Sequence, residues 1–371
     1  MEIIEVKTRK DIRDFINFPI KLYEGNEFFV PPLYMDEKDI FKKNNVFIEQ
    51  SESVFYLAKK DGKVVGRIQG ILQRVSNEKW NQKRVRFTRF DCIDDQEVAN
   101  ALFSKIEKWA KDRGMDELVG PLGYSDLERE GLLIEGFDQL STYEEQYNYE
   151  YYAKLIENYG FKKEIDWFEF KLYPPKEIDE RLERVSSMMM KKYGLRLEFT
   201  KTSKEFVDRF GDQFFEMLDE TYVDIYQSVP ITQRMKEKLI SSFKLILNPK
   251  YAAVILDEND VVVGFGIALP SIGKAVQESK GHLTPLAIYR LLKAINKPKV
   301  IDLALIGVLP KYRNRAIATS LISGLVNVLA NSNIEYAETN LNLETNANII
   351  NEWKWFEAKN HKKRRSFVKK I

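Results

Sequence analysis

The chain has 371 residues, with 58 Lys+Arg against 56 Asp+Glu and a formal net charge of +2. That length suits two domains better than one core, and so even a charge balance argues against a protein built mainly to hold nucleic acid. A single cysteine, Cys92, excludes an internal disulfide framework, and the two histidines, His282 and His361, add no clustered metal-ligand spacing. The opening Met-Glu-Ile-Ile-Glu-Val is charged from its second residue and carries no signal-peptide core. The longest apolar stretch, residues 261–269, is far too short to span a bilayer, so a reducing cytoplasm is the expected compartment.

In chain order, the first regular pattern is an apolar strand, an Asp-Gly turn and a second strand over residues 54–70, which predicts a β-hairpin. A strand is predicted over 87–93 and a helix over 98–110. Between them runs the acidic turn Asp91-Cys-Ile-Asp-Asp-Gln-Glu97. A helix over 151–159 and a β-prone segment over 167–172 follow, and Pro174-Pro175 then breaks the chain. The charged stretch 176–192, which contains Met188, Met189 and Met190, reads as a connecting helix.

The second half repeats the order. A hairpin over 252–268 turns at Asp-Glu-Asn-Asp, and residues 285–299 form an amphipathic basic helix expected to cover the sheet or an acceptor cleft, with membrane contact as the lesser reading. A strand over 301–308 leads to a helix over 317–330, then a helix over 349–356 and a strand over 365–371. The basic run His361-Lys-Lys-Arg-Arg365 is expected to be a solvated hairpin turn.

Residues 308–318, Val-Leu-Pro-Lys-Tyr-Arg-Asn-Arg-Ala-Ile-Ala, join a buried strand to a helix through basic and small residues. First-turn N–H groups of a helix lack intrahelical partners and carry the positive end of the macrodipole, so such a corner holds phosphate when oxygens can approach closely. Ala316 and Ala318 leave that approach open, and Arg313 and Arg315 add charge. Two other phosphate loops are excluded: no Gly-x-x-x-x-Gly-Lys-Ser/Thr occurs, and the lone Gly-x-Gly, Gly264 and Gly266, lies inside a strand pattern.

This corner resembles the pyrophosphate loop of the GNAT acyltransferases, Arg/Gln-x-x-Gly-x-Gly/Ala, with Arg313, Ala316 and Ala318 in the motif positions and Ala316 standing where Gly is usual. The repeated element order looks like that fold written twice, and residues 27–33 and 131–138 are similar to segments of a widespread bacterial group of tandem proteins of undefined substrate. The resemblance implies an α/β chain of two tandem GNAT-like domains, each a central mixed, mostly antiparallel sheet flanked by helices. The expected division is 1–175, a degenerate copy whose acidic turn would repel a pyrophosphate, and 176–371, the copy with the acyl-CoA loop.

The resemblance further implies acetyl-CoA or another acyl-CoA as donor, held by Arg313, Asn314, Arg315, Ala316, Ile317 and Ala318. Backbone groups of Ile306 and Val308 would pair with the pantetheine arm, and Asn346 would open the last helix. Asp302, eleven residues before Arg313, takes the offset of the family's catalytic glutamate, and its apolar neighbours Ile301 and Leu303 would raise its pKa. Trp353 occupies the position where relatives place a tyrosine acid, so either another group such as Tyr336 substitutes or the thiolate leaves with help from water and backbone donors. The expected reaction is direct transfer of acetyl to an amine of a small molecule or peptide. Two alternatives stay open: a non-catalytic module that binds acyl-CoA or a protein partner, and an aminoacyl-tRNA-dependent transferase.

Overall fold

The computed structural model describes residues 1–313 and 315–371. The first copy runs β1 (Glu2–Glu5), α1 (Arg9–Leu22), α2 (Tyr34–Asp39), β2 (Ser51–Lys60), β3 (Lys63–Gln73), α3 (Arg74–Lys79), β4 (Arg84–Cys92), α4 (Gln96–Lys111), β5 (Glu117–Gly120), β6 (Leu132–Glu135), α5 (Tyr151–Asn158) and β7 (Lys162–Tyr173). The second runs α6 (Glu180–Lys192), β8 (Arg196–Glu198), α7 (Ser203–Tyr222), α8 (Gln233–Ile246), β9 (Ala252–Leu256), β10 (Val262–Pro270), α9 (Gly273–Glu278), α10 (Pro285–Asn296), β11 (Val300–Val308), α11 (Ile317–Ala330), β12 (Tyr336–Thr339), β13 (Asn342–Leu343), α12 (Ala347–Glu352) and β14 (Glu357–Lys370).

Local rules account for the central helices. Asp95 caps α4 by accepting from the Glu97 N–H, and Val98, Leu102, Ile106 and Trp109 recur at helical spacing to bury one face on the first core. α11 buries Ile322, Val326 and Leu329 against Leu182 of α6, so the segment expected as a connector belongs to the second core. Near the C-terminus, the expected helix over 349–356 is the shorter α12, followed by a single 3-10 turn at Trp353–Trp355.

All strands join one 14-stranded sheet in the order β1-β2-β3-β4-β5-β14-β7-β12-β11-β10-β9-β8, with β6 on β14 and β13 on β7. The two final strands are exchanged. β14, last in the second copy, lies beside β5 of the first, while β7, last in the first copy, lies beside β12 of the second. Pro174-Pro175 lie between the end of β7 and the start of α6, yet each half of the sheet is completed by a strand from the other.

The basic run at 361–365 is therefore not a solvated turn. It lies inside β14, where Lys362, Arg364 and Ser366 alternate onto a buried face. Arg364 Nε donates to Glu169 Oε1 at 2.6 Å, and Lys362 Nζ to Glu338 Oε1 at 2.5 Å. Strand alternation sends Arg365 and Lys363 to the other face, where both meet Asp166. The charges that look like a solvated patch in the sequence are neutralised by carboxylates on β7 and β12, far away along the chain.

Candidate active site

The site is built on β11. Its parallel pairing with β12 runs from Val300 opposite Tyr336 to Leu303 opposite Thr339, and closes with the Asn340 N–H donating to the Leu303 carbonyl at 3.1 Å. Beyond that point the chain after β12 turns away, and β13 pairs with β7 instead. On its other side β11 stays paired with β10, with Ala304 as an extra bulged residue between Leu303 and Leu305. Because the Leu309 N–H reaches the Val263 carbonyl (3.0 Å), alternation turns the backbone groups of Ile306 and Val308 toward the gap. The Ile306 carbonyl there accepts from the Tyr222 hydroxyl of α7 at 3.3 Å. Gly307 permits this approach of α7: a Cβ on it would stand 2.6 Å from the Phe265 ring and 3.1 Å from Thr221 Oγ1.

The open edge ends at the corner that leads into α11. Ala316 is the N-cap residue, with φ 54° and ψ 24°, and among the described residues no side chain caps the helix. That left-handed conformation explains why glycine suits the position, since an L side chain there costs about 1 kcal/mol. At the equivalent end of α4 the Asp95 carboxylate accepts from the Glu97 N–H, whereas among the described residues no side chain accepts from the first turn of α11. Arg313 donates from one guanidinium nitrogen to the Thr221 carbonyl at 3.0 Å, tying the loop to the end of α7. Arg315 is exposed and lies over the rings of Tyr193 and Tyr312.

A cavity of about 1340 Å³ connects these features, larger than the several hundred Å³ of an ordinary small-molecule site. Ile306, Val308, Arg313, Ala316, Ile317, Ala318 and Asn346 all line it, so the structure brings together most of the residues expected from the sequence. Asn346 caps α12, its side chain accepting from the Ile349 N–H. Asn314 lies outside the described residues. Asp302 and Tyr336 are not part of the cavity wall. Asp302 sits in the paired part of β11, opposite Glu338, and burial and the neighbouring Glu338 and Glu144 carboxylates push its pKa well up. Tyr336 opens β12, with Lys171 over its ring, and burial raises its pKa as well.

Two wall residues were not legible in the sequence. Glu144, on the loop before α5 of the first copy, reaches across to Asn340 (Nδ2 to Oε2, 3.4 Å) at the point where β11 and β12 part. Burial raises its pKa. Tyr222 stands on the wall beside the open edge, its hydroxyl held protonated by burial. The only local signal for Glu144 is a pair of adjacent glutamates in an aromatic loop. The wall also includes apolar side chains of α7 and α8 (Leu218, Leu239, Phe243) and, from the first copy, Glu37 with Arg67, Arg89 and Arg129 near its carboxylate. Burial alone would raise the Glu37 carboxyl, but the Arg89 and Arg67 guanidiniums hold it at about 2.

No family model matches the chain. It is 26% identical over 374 residues to Protein YghO of Escherichia coli (strain K12), covering 98% of this chain and 94% of that protein. It is 27% identical over 318 residues to the bacterial ceramide synthase of Caulobacter vibrioides (strain NA1000 / CB15N), covering 84% of this chain and 82% of that one. Among solved structures, the tandem GNAT protein from the clavulanic acid biosynthesis pathway superposes on 100% of this chain and 98% of its own, with TM-score 0.58 and 12% identity. A GCN5-related N-acetyltransferase from Sphaerobacter thermophilus does so over 99% and 95%, with TM-score 0.52 and 13% identity. The chain has the GNAT fold, in the tandem arrangement.

Proposed function

We propose that this protein is an N-acyltransferase that uses acyl-CoA and acylates an amine bound between the two copies. The observation that carries the reading is the uncapped N-terminus of α11 at the end of an open strand edge, both on the wall of one large cavity. The N–H groups of Ile317, Ala318 and Thr319 would hold a diphosphate, Arg313 and Arg315 would supply positive charge at its margin, and Ile306 and Val308 would pair with an amide-bearing arm. Acyl-CoA supplies an activated acyl thioester.

The chain's own residues then have three tasks. Glu144 would take the proton from the attacking ammonium, since it is a cavity-wall carboxylate at the splay point and its raised pKa makes it the better base. Asn340 orients Glu144, and Asp302 lies behind it as a second carboxyl that disfavours further negative charge. Tyr222 would return a proton to the departing thiolate.

The apolar stretch along α7 and α8 supports an acyl group longer than acetyl. So does the likeness to a bacterial ceramide synthase, because a ceramide is the amide of a long-chain amino alcohol. A lipid amine is accordingly the favoured acceptor class. The test is titration calorimetry with acetyl-CoA and palmitoyl-CoA, followed by thiol release on adding sphinganine. The expected result is binding of both donors, tighter for palmitoyl-CoA, with release of thiol only when the amine is present. Binding without release across a panel of amines would make the protein an acyl-CoA-binding module, and absence of binding would overturn the reading.

A further inference from the structure

α10 is apolar on both faces. Ala287, Leu291, Ala294 and Ile295 turn inward against Val276 of α9 and against Val30, Leu33 and Tyr143 of the first copy. Leu286, Ile288, Tyr289 and Leu292 turn outward and are 56%, 46%, 63% and 53% exposed, and Leu283 just before the helix is exposed too. Elsewhere in the described residues, exposed large apolar side chains fall singly along the chain. A surface helix in water keeps its outer face polar, so this one is shaped for an apolar medium.

The charges around the patch say which medium. Lys293 and Lys297 lie on or beside the outer face and form no ion pair among the described residues, whereas Lys280, Arg290 and Lys299 pair with Glu24, Glu278 and Glu335. A second copy docked here by twofold symmetry would set these unpaired lysines against each other. An anionic bilayer would accept both the leucines and the lysines.

We infer that α10 docks the protein on an anionic membrane surface, with its outer apolar face in the interface and Lys293 and Lys297 at the headgroups. The inner face of the helix shares an apolar cluster with Tyr143, which lines the cavity, so docking would set the cavity one helix and one side chain behind the lipid surface. The docking stands on the helix itself. Only its purpose, delivery of a lipid amine, rests on the function proposed above.

Flotation of the full chain with extruded vesicles tests it. Wild type is expected to float with phosphatidylcholine vesicles containing phosphatidylglycerol, weakly with pure phosphatidylcholine, and less as salt is raised. Leu286→Glu with Leu292→Glu should abolish flotation. Lys293→Glu with Lys297→Glu should weaken it by at least about fivefold per lysine, and leaves the packed face of the helix untouched should the first pair fail to fold. No flotation of wild type, flotation unchanged in both pairs, or a wild-type dimer in sedimentation that Leu286→Glu with Leu292→Glu turns to monomer would each overturn the proposal. Acylation of sphinganine dispersed in detergent separates the two readings. The α10 variants should retain it, and its absence in wild type would count against the proposed reaction while leaving the flotation result to stand.

Discussion

At the scale of single residues, the corner before α11 makes the sharpest predictions. Ala316→Gly removes a left-handed alanine and should stabilise the fold by about 0.5–1 kcal/mol, read as a rise in Tm, with acyl-CoA binding kept or improved. Ala316→Asp should do the reverse to binding, because it places at α11 the carboxylate that closes α4, and calorimetry should show at least about a tenfold loss of acyl-CoA affinity. Glu144→Gln should lower kcat by about 10²-fold or more and remove the acid limb of the pH–rate profile. The sign follows from the raised pKa: a base must be unprotonated, so activity falls as pH drops through a value above the ordinary 4.5. Asp302→Asn, off the cavity wall, should cost far less. A larger loss for Asp302→Asn than for Glu144→Gln would return the base to the position expected from the sequence.

Among elements, β14 carries charges that are buried outright. Arg364 is fully buried against Glu169, and Lys362 lies between Glu169 and Glu338. Removing one partner leaves the other charged and dry, so Arg364→Ala should destabilise by about 3–5 kcal/mol, while Arg364→Met combined with Glu169→Leu should recover much of the loss. Denaturant midpoints of the three proteins decide the matter. Acid should act on the same contacts. Burial would raise Glu338 and Asp166, but Lys362 and His361 hold the first at about 2, and Arg365 and Lys163 hold the second at about 2. Both pKa values are depressed on folding, so the stability they bring is present above the ordinary carboxylate range and is lost as pH falls toward 2. Thermal melts should show a steep decline of Tm across that window, and a flat profile there would contradict the paired state of β14.

For the whole molecule, exchange of β7 and β14 makes the two copies one folding unit. Residues 1–175 alone would leave β5 without β14, and residues 176–371 alone would leave β12 without β7, each an exposed central edge. Neither fragment is expected to show cooperative melting by circular dichroism, whereas the two expressed together should assemble and melt as one. The same exchange places the loop with Glu144 over the splay in β11, so a copy with a closed helix terminus still contributes to the site. Much of this was legible beforehand. The two hairpins, β11, and α4 and α11 follow from periodicity and turn residues. Glu144 and Tyr222 were not, because nothing local marks a side chain whose role comes from what lies opposite it.

By itself the sequence determined the two hairpins, the central helices and the strand–turn–helix corner before α11, because these depend only on neighbours along the chain. It also determined the doubling of the plan, since the same order of apolar patterns is written twice. Tertiary structure alone decided which carboxylate faces the cavity, that a basic run is buried rather than solvated, and that each half-sheet is closed by a strand from the other. These depend on pairings between residues nearly two hundred positions apart, such as Arg364 with Glu169 and Asn340 with Glu144. Burial and Coulomb energy are properties of the assembled neighbourhood, and no stretch of chain carries them alone.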